Sequence, residues 1–184
     1  ASPTIQPDHR EIGRRLGEQL KTKKQKIGII ADWKMSEAVQ AEISGLTEAL
    51  EGSGSEISWC IYRRKEQNIT ERMKEETKAD ALVILDPGVL EEFGEQAEHG
   101  KYKGAELYGV GYNLKTVALL DKGNIQGLVV PDGYEIGYKS VKEIAGKIEH
   151  KFYKMKGYTT EYQIFSKKDF SMDDDLERFL YSYE

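Results

Sequence analysis

The sequence predicts an α/β fold, a doubly wound and mostly parallel sheet of about five strands with helices on both faces. Apolar runs of strand length alternate without exception with segments whose apolar residues recur at helical spacing. These runs are continuous, which is typical of strands covered on both faces. A composition of 39% hydrophobic and 32% charged residues is typical of a water-soluble domain that buries a real core.

The predicted strands are short apolar runs bounded by turn-forming or charged residues. Because each is followed by a helical segment, the strands are expected to run parallel, joined by right-handed crossovers. The run "YTTEYQIF" at 158–165 instead alternates polar and apolar residues, which predicts an edge or antiparallel strand. The five core strands are predicted at 27–32, 57–62, 81–85, 105–110 and 125–130.

Two of the predicted helices carry clear start signals. Asp8 and Glu11 form a capping box ahead of an apolar stripe. Ser36 is placed to cap a second helix, which Gly52 ends. Further helices are predicted at 68–78, 89–97, 114–120 and 134–148.

Charge and hydropathy exclude two classes of partner. The net charge of -5 comes with acids and bases interspersed, so the chain has no basic stripe for nucleic acid. No apolar run approaches the roughly 20 residues that cross a bilayer. The chain begins at Ala1, so we expect it to be a piece of a longer product whose leader or anchor lies upstream.

The residues that usually carry catalysis are scattered. The three histidines fall in separate segments, with no neighbouring nucleophile and no metal-ligand spacing. Gly109 and Gly111 form only half of a dinucleotide fingerprint. Cys60 lies in an apolar run and is expected to be a small core residue. The sequence therefore predicts a protein that is not an enzyme, with no metal and no cofactor.

Three long segments resemble the C-terminal half of the type I periplasmic solute-binding proteins, whose sugar-binding members share their fold with sugar-responsive repressors. They are "TIQPDHREIGRRLGEQL", "IGIIADWKMSEAVQAEISGLTEAL" and "YGVGYNLKTVALLDKGNIQGLVVPDGYEIGYKSVKEIA". The resemblance implies a second-lobe domain at 1–131, including an N-terminal crossover. It further implies a hinge, helix and strand at 132–165 that return to the first lobe, followed by a tail at 166–184.

The resemblance also implies a partner. In the family the helix predicted at 134–148 packs on a first lobe, and that lobe is absent from this chain. Its apolar stripe should therefore meet the missing lobe or a second copy, giving a dimer. The residues of that stripe are Tyr134, Tyr138, Val141, Ile144 and Ile148.

The ligand positions of the sugar-binding members fall on unusual residues here. The resemblance places the family's helix arginine at Glu42, its loop aspartate at Gly111 and its hinge glutamine at Pro131. Asp86 keeps an acceptor, although it is equally placed to cap a helix that begins at Pro87.

Aromatic and amide side chains also follow the predicted strands. Trp33 is a candidate stacking platform for a sugar, or an ordinary loop aromatic packed on the rim of the sheet. Tyr112 and Asn113 are candidate ligands, or simply the entry and cap of the next helix.

These observations predict a domain that binds a small polar solute such as a sugar by closing a cleft against another lobe. The resemblance implies an extracytoplasmic protein, periplasmic or at the cell surface and anchored upstream. It would serve ABC transport with a membrane permease or signal transduction with a kinase. Two alternatives stay open: the effector and dimerisation domain of a transcription regulator, and an interaction domain that has lost its ligand.

Overall fold

The computed structural model describes residues 6–32, 36–65, 67–111, 114–131, 159–160 and 162–166. Strands and helices alternate up to the sixth strand, as the sequence predicts. The strands are β1 (Gln6–Pro7), β2 (Lys26–Asp32), β3 (Glu56–Arg63), β4 (Ala81–Ile84), β5 (Glu106–Val110), β6 (Gly127–Pro131), β7 (Thr159–Thr160) and β8 (Tyr162–Ser166). The helices are α1 (His9–Leu20), α2 (Glu37–Leu50), α3 (Ile69–Lys74), α4 (Pro87–Glu98) and α5 (Leu114–Asp121).

The central sheet has six strands in the order β3-β2-β4-β5-β6-β8. The first five of these pair in parallel, and β8 pairs antiparallel with β6. The predicted fold class and the predicted antiparallel strand near the C-terminus are both confirmed. Because the chain steps outward from β2 to β3 and then returns past β2 to β4, the strand order reverses at the β2–β4 boundary.

The two faces of the sheet carry separate cores, as a doubly wound fold requires. One core packs side chains of the sheet against α1 and α2, with Leu16 and Leu46 at its centre. The other packs the opposite side chains against α3, α4 and α5, with Phe93 among its fully buried residues. Within the described residues, no helix is long and apolar enough to cross a membrane.

Helices α1 and α2 cross at a distance that only glycine allows. A methyl group on Gly13 would lie 1.7 Å from the Glu42 carbonyl oxygen, and one on Gly45 would lie 1.9 Å from the Arg10 carbonyl oxygen. A methyl group on Gly17 would lie 2.6 Å from the Ala49 methyl carbon. This crossing fixes the helix pair that covers one face of the sheet.

Several predicted boundaries differ from the structure by one to four residues, and two of these differences have a visible cause. Helix α3 ends at Lys74, four residues earlier than predicted, and beyond it the Thr77 carbonyl accepts a hydrogen bond from Trp59 Nε1 at 2.8 Å. The strand predicted from residue 125 begins at Gly127, because the Ile125 amide donates to the Leu119 carbonyl at the end of α5. Both differences arise from side-chain or turn contacts that the spacing of apolar residues in the sequence does not reveal.

The described part of the predicted 132–165 unit comprises β7 and β8. The return of this unit to another lobe stays a prediction. Strand β8 itself pairs with β6 as the edge strand of the described sheet. Its alternating residues need only one covered face, which suits an antiparallel edge. The boundaries of the domains remain predictions, and the helix predicted at 134–148, with its apolar stripe, lies outside the described residues.

A polar network lies at the amino ends of the strands. Lys23 Nζ donates to Glu106 Oε2 at 2.6 Å and to the Tyr108 hydroxyl at 2.8 Å. Gln25 Nε2 donates to the other Glu106 oxygen at 2.5 Å. Burial raises the pKa of Glu106, but the bonds from Lys23 and Gln25 lower it by more, so it lies below its usual 4.5.

Candidate functional site

Charged side chains meet at the carboxyl edge of the sheet, beside the reversal of strand order. Strand β2 ends at Asp32, β3 ends at Arg63, and Asp86 follows β4 by two residues. These strands are neighbours in the sheet, in the order β3-β2-β4. In open α/β sheets ligands bind outside the carboxyl ends of the strands, at the point where the order reverses. We call Asp32, Arg63 and Asp86 the strand-end group.

An ion pair spans this group. Arg63 Nη2 lies 2.9 Å from Asp86 Oδ2, with 47% of the Arg63 side chain and 12% of the Asp86 side chain exposed. Because β2 lies between the two strands, the pair bridges across the end of β2, where Asp32 stands half-buried. Charged groups of both signs therefore converge on one surface of the sheet edge.

Asp86 also begins helix α4. Its Oδ1 accepts from the amides of Gly88, at 3.0 Å, and Val89, at 3.2 Å, while Pro87 occupies the first turn of the helix. The interpretation of this segment as a helix start is confirmed. Both carboxylate oxygens of Asp86 are engaged, one by the helix and one by Arg63, and its role as a ligand stays a prediction.

Glu42 lies in the contact between α1 and α2 and does not belong to the strand-end group. Its side chain is 6% exposed, and its Oε1 lies 3.1 Å from His9 Nδ1. Burial raises the pKa of Glu42, and the bond from His9 only partly offsets this effect. The structure thus gives this side chain a partner within the protein, and its predicted contact with a ligand remains untested.

We expect Glu42→Gln to increase stability at neutral pH, because glutamine keeps the oxygen that faces His9 and removes a charge that burial disfavours. A raised folded pKa means that the folded protein holds a proton that the unfolded chain has released. The stability of the parent therefore falls as the pH rises from about 4.5 through the raised pKa. Urea unfolding at a series of pH values measures the difference between variant and parent.

Glu106→Gln is the control of opposite sign. The lowered pKa of Glu106 contributes stability that is present above 4.5 and is lost as the pH falls through the folded value. We therefore expect this variant to be less stable than the parent at neutral pH and to approach it in acid. A Glu42→Gln variant that loses stability at neutral pH would contradict the assignment of a net burial penalty to Glu42.

Of the remaining predicted site residues, the structure describes one. Trp33, Tyr112 and Asn113 are outside the described residues. Pro131 ends β6 at the carboxyl edge and pairs with Tyr162 of β8.

Gly111, where the resemblance predicts the family's aspartate, is a glycine for a structural reason. Gly111 is buried, and a methyl group on it would lie 2.7 Å from Thr116 Oγ1 and 2.9 Å from Leu128 Cδ1. No side chain fits there without displacement of both neighbours, so the departure from the family pattern at this position is built into the packing.

Arg63 is the functional candidate that sequence reasoning missed. The signal was the basic run Arg63, Arg64 and Lys65 directly after the strand "ISWCIY", and all three are exposed. A basic run after a strand is ordinarily a solvated turn. Its significance depends on the order of the strands, which brings Arg63 to Asp86.

Comparison with known proteins identifies relatives by fold. No family model matches the sequence, and no curated protein is detectably similar. The glucose-galactose binding protein GanP from Geobacillus stearothermophilus is 21% identical with a TM-score of 0.66, over 94% of this chain and 67% of that one. A carbohydrate transporter solute-binding protein from Agrobacterium radiobacter, in complex with D-arabinose, is 20% identical with a TM-score of 0.67, over 96% and 64%.

A third similar structure is the XylFII-LytSN complex, at 16% identity and a TM-score of 0.67, over 90% of this chain and 62% of that one. This chain therefore spans 62 to 67% of the length of these three structures. At such identities the likeness concerns the fold. The chain has the predicted periplasmic-binding-protein-like fold, in the form of a single lobe.

Proposed function

We propose that this chain is one lobe of a two-lobed protein that binds a small polar solute such as a sugar at the strand-end group. The observation that carries the proposal is the position of Asp32, Arg63 and Asp86. They stand where the strand order reverses, in a sheet whose structural relatives are solute-binding proteins. Such positions are the usual ligand sites of open α/β sheets.

The chemistry of the strand-end group suits a polyhydroxylated solute. A sugar hydroxyl both donates and accepts hydrogen bonds, so it is matched by a guanidinium next to a carboxylate. Arg63 presents five N–H donors on a half-exposed side chain, and its ion pair with Asp86 runs through Nη2. Asp32 adds an acceptor at the end of the strand between them.

The path of the chain supports a second lobe. Strand β6 ends at Pro131, and β8 begins beside it at Tyr162 and runs antiparallel along β6 to the amino edge, with β7 preceding it in the chain. Strand β1 pairs in parallel with β7, so the segment that leads into α1 lies beside the segment that leads into β8. Pro131 and Tyr162 thus lie beside each other at the carboxyl edge, where we propose that the second lobe joins.

The proposed setting is extracytoplasmic, with a permease or a kinase as the downstream partner. Relatives by fold include a carbohydrate transporter solute-binding protein and the XylFII-LytSN complex. We favour a sensory role at least as strongly as transport, because a sensor needs only a difference in affinity between open and closed forms. The proposed protein is a binding protein and not an enzyme.

One set of observations favours a second candidate, an interaction domain without a ligand. Both oxygens of Asp86 are engaged within the protein, Glu42 is paired with His9, and Gly111 leaves no room for a polar side chain. Under this candidate Arg63 and Asp86 only hold the edge of the sheet together.

Calorimetry and thermal melting of the full chain with D-glucose, D-galactose and D-arabinose distinguish the two candidates. We expect binding of at least one sugar, and we expect Arg63→Gln to weaken it about tenfold or more, as loss of a charge-assisted hydrogen bond does. Arg64→Gln is the matched control, because it removes an adjacent exposed charge outside the ion pair. Absence of heat and of a melting shift with every sugar would refute ligand binding and favour the interaction domain.

A further inference from the structure

A concave site lies at the amino edge of the sheet, opposite the strand-end group, where β4 and β5 begin. A cavity of about 290 Å³ opens between helix α3, the loop at 75–80 and the loop at 99–105. Its volume is close to the lower limit of small-molecule sites, which start near 300 Å³. We call it the lysine-rimmed cavity. Its principal lining residues are Trp59, Met73, Lys78, Leu82, Tyr102 and Lys103.

The aromatic walls of this cavity are held in place. The Trp59 indole packs on β2, where a methyl group on Gly28 would lie 2.2 Å from its ring, and its Nε1 donates to the Thr77 carbonyl at 2.8 Å. The Tyr102 ring stacks on Phe93 with centroids 4.6 Å apart and an angle of 6° between the planes. A flat apolar ligand would therefore enter a site that is already formed, which keeps the entropic cost of binding low.

Tyr102 is also fixed by its backbone and its hydroxyl. Its φ of 58° lies in the left-handed region, which is rare for a residue with a side chain and persists only where its surroundings determine it. The hydroxyl donates to Gln96 Oε1 at 2.5 Å and lies 3.3 Å from Thr70 Oγ1. The polar atom of this wall is thus already bonded, and its ring is what the cavity offers.

The mouth of the cavity is positively charged in a chain that is negative overall. The lining includes three lysines and one glutamate, a net charge of +2, whereas the whole chain carries -5. Lys78 leans across from its own loop, with its Nζ 4.0 Å from where a methyl group on Gly104 would lie. In the described part of the chain neither Lys78 nor Lys103 has a carboxylate within ion-pair distance, whereas Lys74 is paired with Glu71.

We infer that the lysine-rimmed cavity binds a small aromatic carboxylate, with its ring against Trp59 and Tyr102 and its carboxylate at Lys78 and Lys103. The polar atoms of the two aromatic walls are not available to a ligand, because the indole N–H and the tyrosine hydroxyl are bonded internally. Affinity must then come from ring burial and from the charge at the mouth. This site is separate from the strand-end group and does not depend on the proposed sugar binding.

The test is a titration with phenylacetate, followed through the indole N–H signals in a proton–nitrogen NMR spectrum. The chain has two tryptophans, and Trp33→Phe assigns the signal of Trp59. We expect the Trp59 signal to shift with a dissociation constant on the order of 1 mM or tighter. Phenethylammonium, which has the same ring and the opposite charge, should bind at least about threefold more weakly.

Variants of the residues at the mouth separate the contribution of charge to phenylacetate binding from the contribution of ring burial. Lys78→Gln combined with Lys103→Gln should weaken phenylacetate binding about tenfold, while Lys101→Gln, an exposed lysine of the same loop outside the lining, should not. Ala105→Leu should fill the cavity and abolish the shift while thermal melting confirms that the variant folds. An unmoved Trp59 signal at saturating phenylacetate, or equal affinity for phenethylammonium, would overturn the inference.

Discussion

Gly45→Ala is expected to destabilise the protein by about 3 kcal/mol, near the upper end of what a single added methyl group costs in a packed core. The added carbon would lie 1.9 Å from the Arg10 carbonyl oxygen and 2.9 Å from the Arg14 amide nitrogen. Both are backbone atoms of α1, so no side-chain rotation relieves the clash and the two helices must separate. Urea unfolding followed by circular dichroism measures the loss.

Gly88→Ala is the matched control for this prediction. Gly88 is also helical, but a methyl group there meets only the Asp86 carboxylate, at 3.4 Å. Because alanine forms helices better than glycine, we expect this variant to be unchanged or more stable by up to about 1 kcal/mol. If Gly45→Ala unfolds at the same urea concentration as Gly88→Ala, the close crossing of α1 and α2 is wrong.

Asp86→Ala is expected to cost about 2 kcal/mol, because it removes the cap of α4 and the partner of Arg63 at once. The cap is the larger part, since two amides of the first turn lose their acceptor. The ion pair contributes less because nearly half of the Arg63 side chain is exposed to water. Urea unfolding of the parent and the variant at neutral pH gives the difference.

Asp86→Asn separates the two contributions. Asparagine caps a helix as well as aspartate does, so only the charge opposite Arg63 is lost and the change should stay within about 1 kcal/mol. Equal losses in the alanine and asparagine variants would mean that the ion pair, and not the cap, stabilises this edge of the sheet.

Much of the fold is predictable because it depends on local patterns. The continuous apolar runs became β2 to β6, and their alternation with helices required parallel strands with crossovers. The caps Asp8 and Ser36 accept the expected helix amides, because capping involves residues two or three positions apart.

The packing of α1 on α2 was not predictable from local pattern. Gly13, Gly17 and Gly45 interrupt helical segments where glycine is unfavourable, and their reason appears only when the two helices cross. The same crossing pairs Glu42 with His9, 33 residues away in the sequence. Contacts of this kind depend on which helix faces which, and that choice follows from the whole topology.

The candidate site was predictable only in part, because only some of its contacts follow from the parallel arrangement of the strands. That Asp32 and Asp86 share an edge follows from parallel strands, since the carboxyl ends of such strands lie together. That Arg63 reaches Asp86 depends on the order β3-β2-β4, which the sequence of elements leaves open.

A sugar titration followed by backbone amide NMR locates the solute on the sheet and so tests the proposed binding site. We expect the sugar that binds in calorimetry to shift the amides of Asp32, Arg63 and Asp86 at the carboxyl edge. The amides of Lys26, Glu56 and Ala81, at the amino ends of the same strands, should stay unchanged. Shifts confined to the amino ends, with the strand-end group unmoved, would contradict the assignment of the solute site.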